Sequence, residues 1–347
     1  MTVAFLSTVV GSLPKPDWVL PWAPRGPGDQ KVGSGRADWR YDGEALKAAQ
    51  DDATRLAIHD QEQAGIDIVS DGEQRRVSYI TYITQALDGI DFGELGEKMI
   101  RRGRSLATVG RCIGPVKRAR PILVDDLAYA LAQATRPLKV TLPGPMTVVD
   151  TTLDTYYGDD KTFAFDVAAA LNQEARALDA LGPAVIQFDE PAFSRYPERT
   201  AEWGIEALDR CLDGLKAATA THVCYGYPVQ GVERQVRDTY PEILQLLERS
   251  KVQQLALEFE TPKLDPKHLR LCPSKTVLFG CVDNTTDEIE APEHVAGQLL
   301  RAAEHLPPEQ IQAAPDCGLI PLHPRVARAK LAALAAGARL ARERLKV

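Results

Sequence analysis

Residues 184–191 read AVIQFDEP: a nearly unbroken apolar run that stops at two carboxylates and a proline. A strand buried on both faces of a parallel sheet has this continuous pattern, whereas a half-exposed strand alternates. Seven other runs share it: FLSTVVGS (5–12), IDIVSDGE (66–73), LKVTLPGP (138–145), THVCYG (221–226), QLALEFE (254–260), VLFGCVD (277–283) and IQAAPDCG (311–318). Most end abruptly in Gly, Pro, Asp, Glu or Cys. The stretches between them have helical spacing. In 44–65, Leu46, Ala49, Ala53, Leu56, Ala57 and Gln61 recur every three or four residues. The stretch 166–182 closes on Gly182, which suits the left-handed residue after a helix. YPEILQLLERS and PEHVAGQLLRAAEHL carry proline in their first turn. Strands alternating with helices imply parallel βαβ units. Eight repeats predict an α/β chain closed into a (β/α)8 barrel of the TIM type, one domain over 1–347, with its site at the C-terminal ends of the strands.

Two stretches break this rhythm. Residues 14–43 are rich in Pro, Gly and Trp and are expected to form a long loop covering the active site. Within them GPGDQKVGSG lacks a phosphate-loop pattern, so no nucleotide role is assigned. Residues 91–122 carry basic runs and predict a hairpin insertion. The last 24 residues, PRVARAKLAALAAGARLARERLKV, predict an Ala-rich amphipathic helix whose Arg and Lys residues form a solvated face.

Composition excludes some partners. A net charge of −7 argues against nucleic acid and anionic membranes, which call for a basic stripe. No apolar run approaches the ~20 residues that span a bilayer. The first residues lack the basic flank of an export signal, so a cytoplasmic protein with reduced cysteines is expected.

His222-Val223-Cys224 is the strongest local signal, because residues i and i+2 of a strand point the same way and can meet one ion. Cys317, between Pro-Asp and Gly, is not in a core setting. Glu258 interrupts an apolar strand, where a lone carboxylate is costly unless paired or bound to a cation. Together His222, Cys224, Glu258 and Cys317 suit one tetrahedral Zn2+, the thiolates favouring zinc over magnesium or calcium. Cys112, Cys211, Cys272 and Cys281 read as structural.

THVCYG, PDCGL, the VVGSLP start, DIVSDGE, LPGPMT and QFDEPA, taken in order, resemble the catalytic half of cobalamin-independent methionine synthase, from about residue 8 to residue 335. The resemblance implies a (β/α)8 barrel, here a short single-barrel relative. It also implies that His222, Cys224, Glu258 and Cys317 bind zinc, and that homocysteine joins the metal through sulfur. The backbone of Val10, Gly11 and Ser12, with Glu73 and Asp189, then holds the amino-acid portion of homocysteine. Glu258 becomes a ligand able to yield when substrate sulfur arrives. Acidic residues at strand ends also cap helices, and for Asp189-Glu190-Pro191 that reading competes. Asp283 and Asp316 are weaker candidates, Asp283 as a catalytic residue.

The chain departs from the family twice. The loop after the seventh strand reads Asp283-Asn284-Thr285 where the family carries Asp-Ile-His, and His294 on the next helix reads as a surface residue. Asp150 and Thr151 stand where the family places a Trp against the folate, and are the candidate cofactor-binding residues. Both departures concern the methyl donor, which stays open between methyltetrahydrofolate, with or without an accessory protein, and a methylated corrinoid protein. A second reading is an enzyme resembling epoxyalkane:coenzyme M transferase. Its sulfonate thiol calls for cations where Glu73 and Asp189 stand, although Arg75 and Arg76 lie close by. A purely structural zinc barrel is the third. Closed structural sites use short spacings, unlike ligands spread from residue 222 to residue 317.

Overall fold

The computed structural model describes residues 3–21, 31–226 and 236–346. Ten strands occur among them: β1 (Val69–Ser70), β2 (Asp88–Ile100), β3 (Ser105–Lys117), β4 (Leu138–Pro143), β5 (Leu153–Asp154), β6 (Val185–Asp189), β7 (Ala218–Val223), β8 (Gln254–Leu257), β9 (Thr276–Gly280) and β10 (Ile311–Ala314). Seven form one sheet in the order β1-β4-β6-β7-β8-β9-β10, every neighbouring pair parallel. Parallel neighbours need a crossover, and helices supply it at 124–133, 160–179, 205–211, 240–249 and 292–302. Between β8 and β9 the return shrinks to a 3-10 helix, Pro266–Leu271.

The run expected as the first strand is reduced to two parallel bridges, Ser7 to Ala313 on β10 and Thr8 to Ile68 beside β1. These close the sheet on itself: Thr8 N donates to Ala313 O (2.9 Å), Ala313 N to Leu6 O (2.9 Å), and Ile68 N to Ser7 O (3.0 Å). The pairing cannot extend upstream because Phe5 is left-handed, with φ 50°. The helices Gly43–Ala64 and Pro324–Leu345 flank this seam and complete eight β/α units. The fold is therefore the expected (β/α)8 barrel.

The hairpin is present. β2 and β3 run antiparallel, and β5 adds a third strand. Its basic tip leans on the β6 loop, where Arg102 Nη1 donates to Arg195 O (2.7 Å). Its exit is fixed by buried Glu174, which accepts from Ile122 N, Leu123 N and Arg118 Nε. Of the expected cover, residues 22–30 lie outside the described residues. Val19 is fully buried with Trp39 against Ala49 and Ala53 of the helix 43–64.

Two helix expectations need correction. The helix of the 166–182 stretch spans Asp160–Asp179, and Gly182 is left-handed (φ 78°) only after one further turn, so it does not cap the helix directly. On the C-terminal helix Lys330 is not solvated. It is fully buried and bonds both oxygens of Glu290 (2.9 and 3.0 Å). Among the described residues no helix is long and apolar enough to cross a membrane.

Candidate metal and substrate site

Strand ends bring the chemistry together. His222 lies on β7, Cys224 just beyond it, and Cys317 three residues past β10. Their ligand atoms lie within 4.8 Å of one another, all buried. The two sulfurs are 3.9 Å apart. Two thiolates on one tetrahedral zinc, each at about 2.3 Å, stand about 3.8 Å apart, so the spacing fits. His222 Nδ1 faces Ala256 O at 3.2 Å and donates there, so Nε2 is the ring nitrogen left for an ion. That Nε2 is buried and makes no hydrogen bond. An orphaned buried nitrogen beside two sulfurs is what a soft cation site requires. The donor set therefore fits zinc.

Electrostatics separate Cys224 from the four cysteines outside the cluster. The Cys317 hydrogen bond holds the Cys224 thiol well below its usual range, against burial, with His222 helping. Burial would lower His222, but the Cys224 sulfur outweighs it and pushes the imidazole up to about 9. Burial raises Cys112 to about 11 and Cys272 to about 12, and Cys211 and Cys281 well upward, which suits inert structural thiols.

Glu258 follows β8 and is fully buried. The cluster of mutually close ligand atoms holds His222, Cys224 and Cys317, without Glu258. One carboxylate oxygen accepts from Tyr225 N at 3.2 Å, next to Cys224 in the chain. Buried Tyr240 joins the two segments: its hydroxyl accepts from Glu258 N (2.9 Å) and donates to Val223 O (2.8 Å), between the two members of the His-x-Cys pair.

The expected substrate residues also converge. Asp189 is the register partner of His222. Gln187 Nε2 donates to Asp189 Oδ1 (2.7 Å) and to Val10 O (2.8 Å), while its Oε1 accepts from Lys139 Nζ (2.9 Å). Lys139 also donates to Val9 O, and burial pulls it down to about 7. Burial pushes Asp189 up to about 7, opposed by His222 and reinforced by Glu73. Glu73 accepts from Ser12 Oγ and from Thr141 Oγ1 (2.8 Å). Its backbone is left-handed at φ 54°, directly after Gly72 at φ 62°, a conformation that costs ~1–3 kcal/mol in a non-glycine residue and clusters at functional sites. A Cβ on Gly11 would stand 2.8 Å from Glu73 Oε1, so only glycine passes there unstrained.

The DEP carboxylates divide the two roles weighed for them. Glu190 does cap a helix, though a neighbouring one: it accepts from Met146 N, Thr147 N (both 2.9 Å) and Thr147 Oγ1 (2.7 Å). Asp189 is left for the site. Asp150, expected to bind the methyl donor, accepts from Tyr196 OH (2.8 Å) and Arg101 N (3.3 Å), and Arg195 lies 3.9 Å away. Thr151 Oγ1 is turned back onto Thr147 O (2.7 Å). Asp283 accepts from Thr261 Oγ1 (2.9 Å) and Thr285 N (2.7 Å). His294 is half-exposed but bonds Glu260 at 3.1 Å.

Sequence reasoning missed Lys139, Gln187, Thr141, Tyr240 and Tyr79. Half-buried Tyr79 is pushed well up by burial and by the charges of Asp189 and Cys224. It falls in an aperiodic stretch that offers no signal. Lys139 and Gln187 had one, being polar residues inside runs that are otherwise apolar.

Residues 27–339 match the family model described as the catalytic domain of cobalamin-independent synthase. A methionine synthase of Sulfurisphaera tokodaii is 30% identical over 98% of this chain and 93% of that protein. One of Thermococcus kodakarensis is 29% identical, covering 98% and 94%. The solved structure of a B12-independent methionine synthase from a Shewanella species, in complex with selenomethionine, is 36% identical, with a TM-score of 0.90 and 99% of both chains covered. With barrel, strand-end His and Cys residues and these similarities in agreement, the chain belongs to the cobalamin-independent methionine synthase family, as a relative of its catalytic barrel.

Proposed function

We propose that this barrel, as one unit over 1–347, is a zinc-dependent S-methyltransferase that makes methionine from homocysteine. The observation that carries this reading is the orphaned Nε2 of His222, beside two sulfurs at zinc spacing and one strand from Asp189. His222, Cys224 and Cys317 would hold the ion, with Glu258 as the ligand that yields. Zinc, when bound, supplies a Lewis acid that lets a thiol be present as thiolate at neutral pH. Asp189 and Glu73 face the ammonium group of the substrate. The turn Val10-Gly11-Ser12 offers backbone to its carboxylate, and the Lys139–Gln187 pair keeps that turn and Asp189 in register. The overall reaction forms a sulfur–carbon bond, breaks the donor's nitrogen–methyl bond and leaves that nitrogen to take a proton. Methyltetrahydrofolate is the donor that fits a cobalamin-independent family. The corrinoid donor considered from the sequence is dropped on that ground.

Selenomethionine in the Shewanella relative is an amino acid with the ammonium and carboxylate this pocket suits. The coenzyme M reading loses its support, because both arginines that favoured it are engaged. Arg75 pairs with Asp51 and Asp126, and Arg76 bonds Thr141 O and Asp71. The test is direct. Purified protein should carry one zinc and convert homocysteine and methyltetrahydrofolate to methionine, and Cys317→Ser should lose both. Homocysteine, and not coenzyme M, should slow removal of the metal by a chelator. Equal protection by both would sink the substrate assignment.

A further inference from the structure

Resting on that reading of the metal site, we infer that Asp316 is a positioning residue that welds the loop bearing Glu258 to the loop bearing Cys317. Asp316 directly precedes Cys317 and is fully buried. Its carboxylate accepts three consecutive backbone N–H groups: Phe259 N at 2.9 Å and Glu260 N at 3.0 Å on Oδ1, and Thr261 N on Oδ2. These are the three residues that follow Glu258. They follow β8, whereas Asp316 follows β10, and β9 stands between. The carboxylate therefore reaches over the end of β9 to grip the far loop.

The intervening strand is shaped to allow it. A Cβ on Gly280, the last residue of β9, would stand 2.2 Å from Asp316 Oδ1 and 2.7 Å from Leu257 O. Asp316 is itself anchored, its N–H donating to Val282 O at 3.0 Å. On the other side of Glu258, Tyr240 fixes the N–H of Glu258 to the segment carrying His222 and Cys224. The backbone around Glu258 is thus tied to both thiolate-bearing segments, to one by a phenol and to the other by a carboxylate. A ligand that must let go of an ion and return to it needs a main chain that stays in place while its side chain moves. Partners of this kind, one shell out from a metal, commonly set affinity by ~10- to 100-fold.

The experiment is zinc affinity by competition with a chromophoric chelator, together with the absorption spectrum of the cobalt(II)-substituted protein. Asp316→Asn keeps the shape but turns an amide N–H2 against one backbone N–H. It should weaken zinc by ~10- to 100-fold, shift the cobalt bands, and lower kcat more than it raises KM for homocysteine, while circular dichroism stays that of the folded chain. Gly280→Ala keeps the charge but displaces the carboxylate, and should change both metal readouts in the same direction. Unchanged affinity and spectrum in a folded Asp316→Asn protein would overturn the inference, as would failure of both variants to fold. Cys317→Ser, measured alongside, separates the two levels. If it too leaves zinc binding intact, the metal-site reading has failed rather than the role of Asp316.

Discussion

Replacing Glu73 by Gln should cost homocysteine its principal counter-charge while leaving the fold in place. The carboxylate is 3% exposed and accepts from Ser12 Oγ and Thr141 Oγ1. The amide oxygen can keep one of these hydroxyls, and the other can rotate to accept from the amide nitrogen. Arg76, 3.9 Å from Glu73, stays satisfied by Asp71, Thr141 O and Thr141 Oγ1. What disappears is the buried carboxylate charge that the proposed function sets against the ammonium group. Removing one partner of such a buried pair costs about 2–5 kcal/mol, and at about 1.4 kcal/mol per decade kcat/KM should fall roughly 30- to 4,000-fold. Most of the loss should enter through KM, because the interaction is made equally in the bound and reacting states. Steady-state kinetics over a range of homocysteine concentrations measures it, with zinc content determined in parallel. The preference for homocysteine over a thiol of similar length without an amino group should shrink by the same factor. An unchanged KM and an unchanged preference would refute the assignment of Glu73 to the substrate.

Tyr240→Phe strands the N–H of Glu258 and the carbonyl of Val223, and should lower stability by about 1–3 kcal/mol in urea unfolding. Lys139 has its pKa lowered from 10.5 to about 7, so the unfolded chain holds a proton between those values that the folded chain has released. Its contribution is complete above the unfolded value and is lost as pH falls through the folded one. Stability of the wild type should therefore rise with pH above neutrality by up to about 1.4 kcal/mol per unit, and Lys139→Met should flatten that slope in denaturation curves taken across the range. Glu174→Gln leaves Arg118 without its counter-charge under the hairpin exit, and should cost about 3–5 kcal/mol by thermal or chemical unfolding. His294→Ala, at a half-exposed position, should change stability by less than about 1 kcal/mol and leave kcat unaltered.

The barrel was legible because buried parallel strands announce themselves by continuity, and seven of the eight runs contain a ladder strand. Their limits were not. THVCYG suggested a strand from Thr221, but β7 begins at Ala218, since a small-residue opening such as Ala-Thr-Ala carries little hydrophobic signal. The cluster of His222, Cys224 and Cys317 could be read because His-x-Cys and a cysteine between Asp and Gly are unusual company for a core. Glu190 and Asp189, adjacent and alike in type, could not be told apart from sequence. Only the path of the neighbouring loop decides which one finds backbone N–H groups and which is held by Gln187 instead. Lys330 was misplaced for a similar reason: its partner Glu290 comes from a distant loop that no helical periodicity reveals.

The closure of the barrel by Ser7 and Thr8 has a consequence for how the enzyme answers its ligand. The ring is sealed at one joint by a handful of amides, and the chain leaving that joint becomes the turn Val10-Gly11-Ser12, to which the proposed function assigns the amino acid. An occupant seated on the turn acts as a rivet across the joint. Amide deuteration at Thr8, Ile68 and Ala313 should accordingly slow when homocysteine is added, more than at β7 or β8, whose neighbours grip them along both edges.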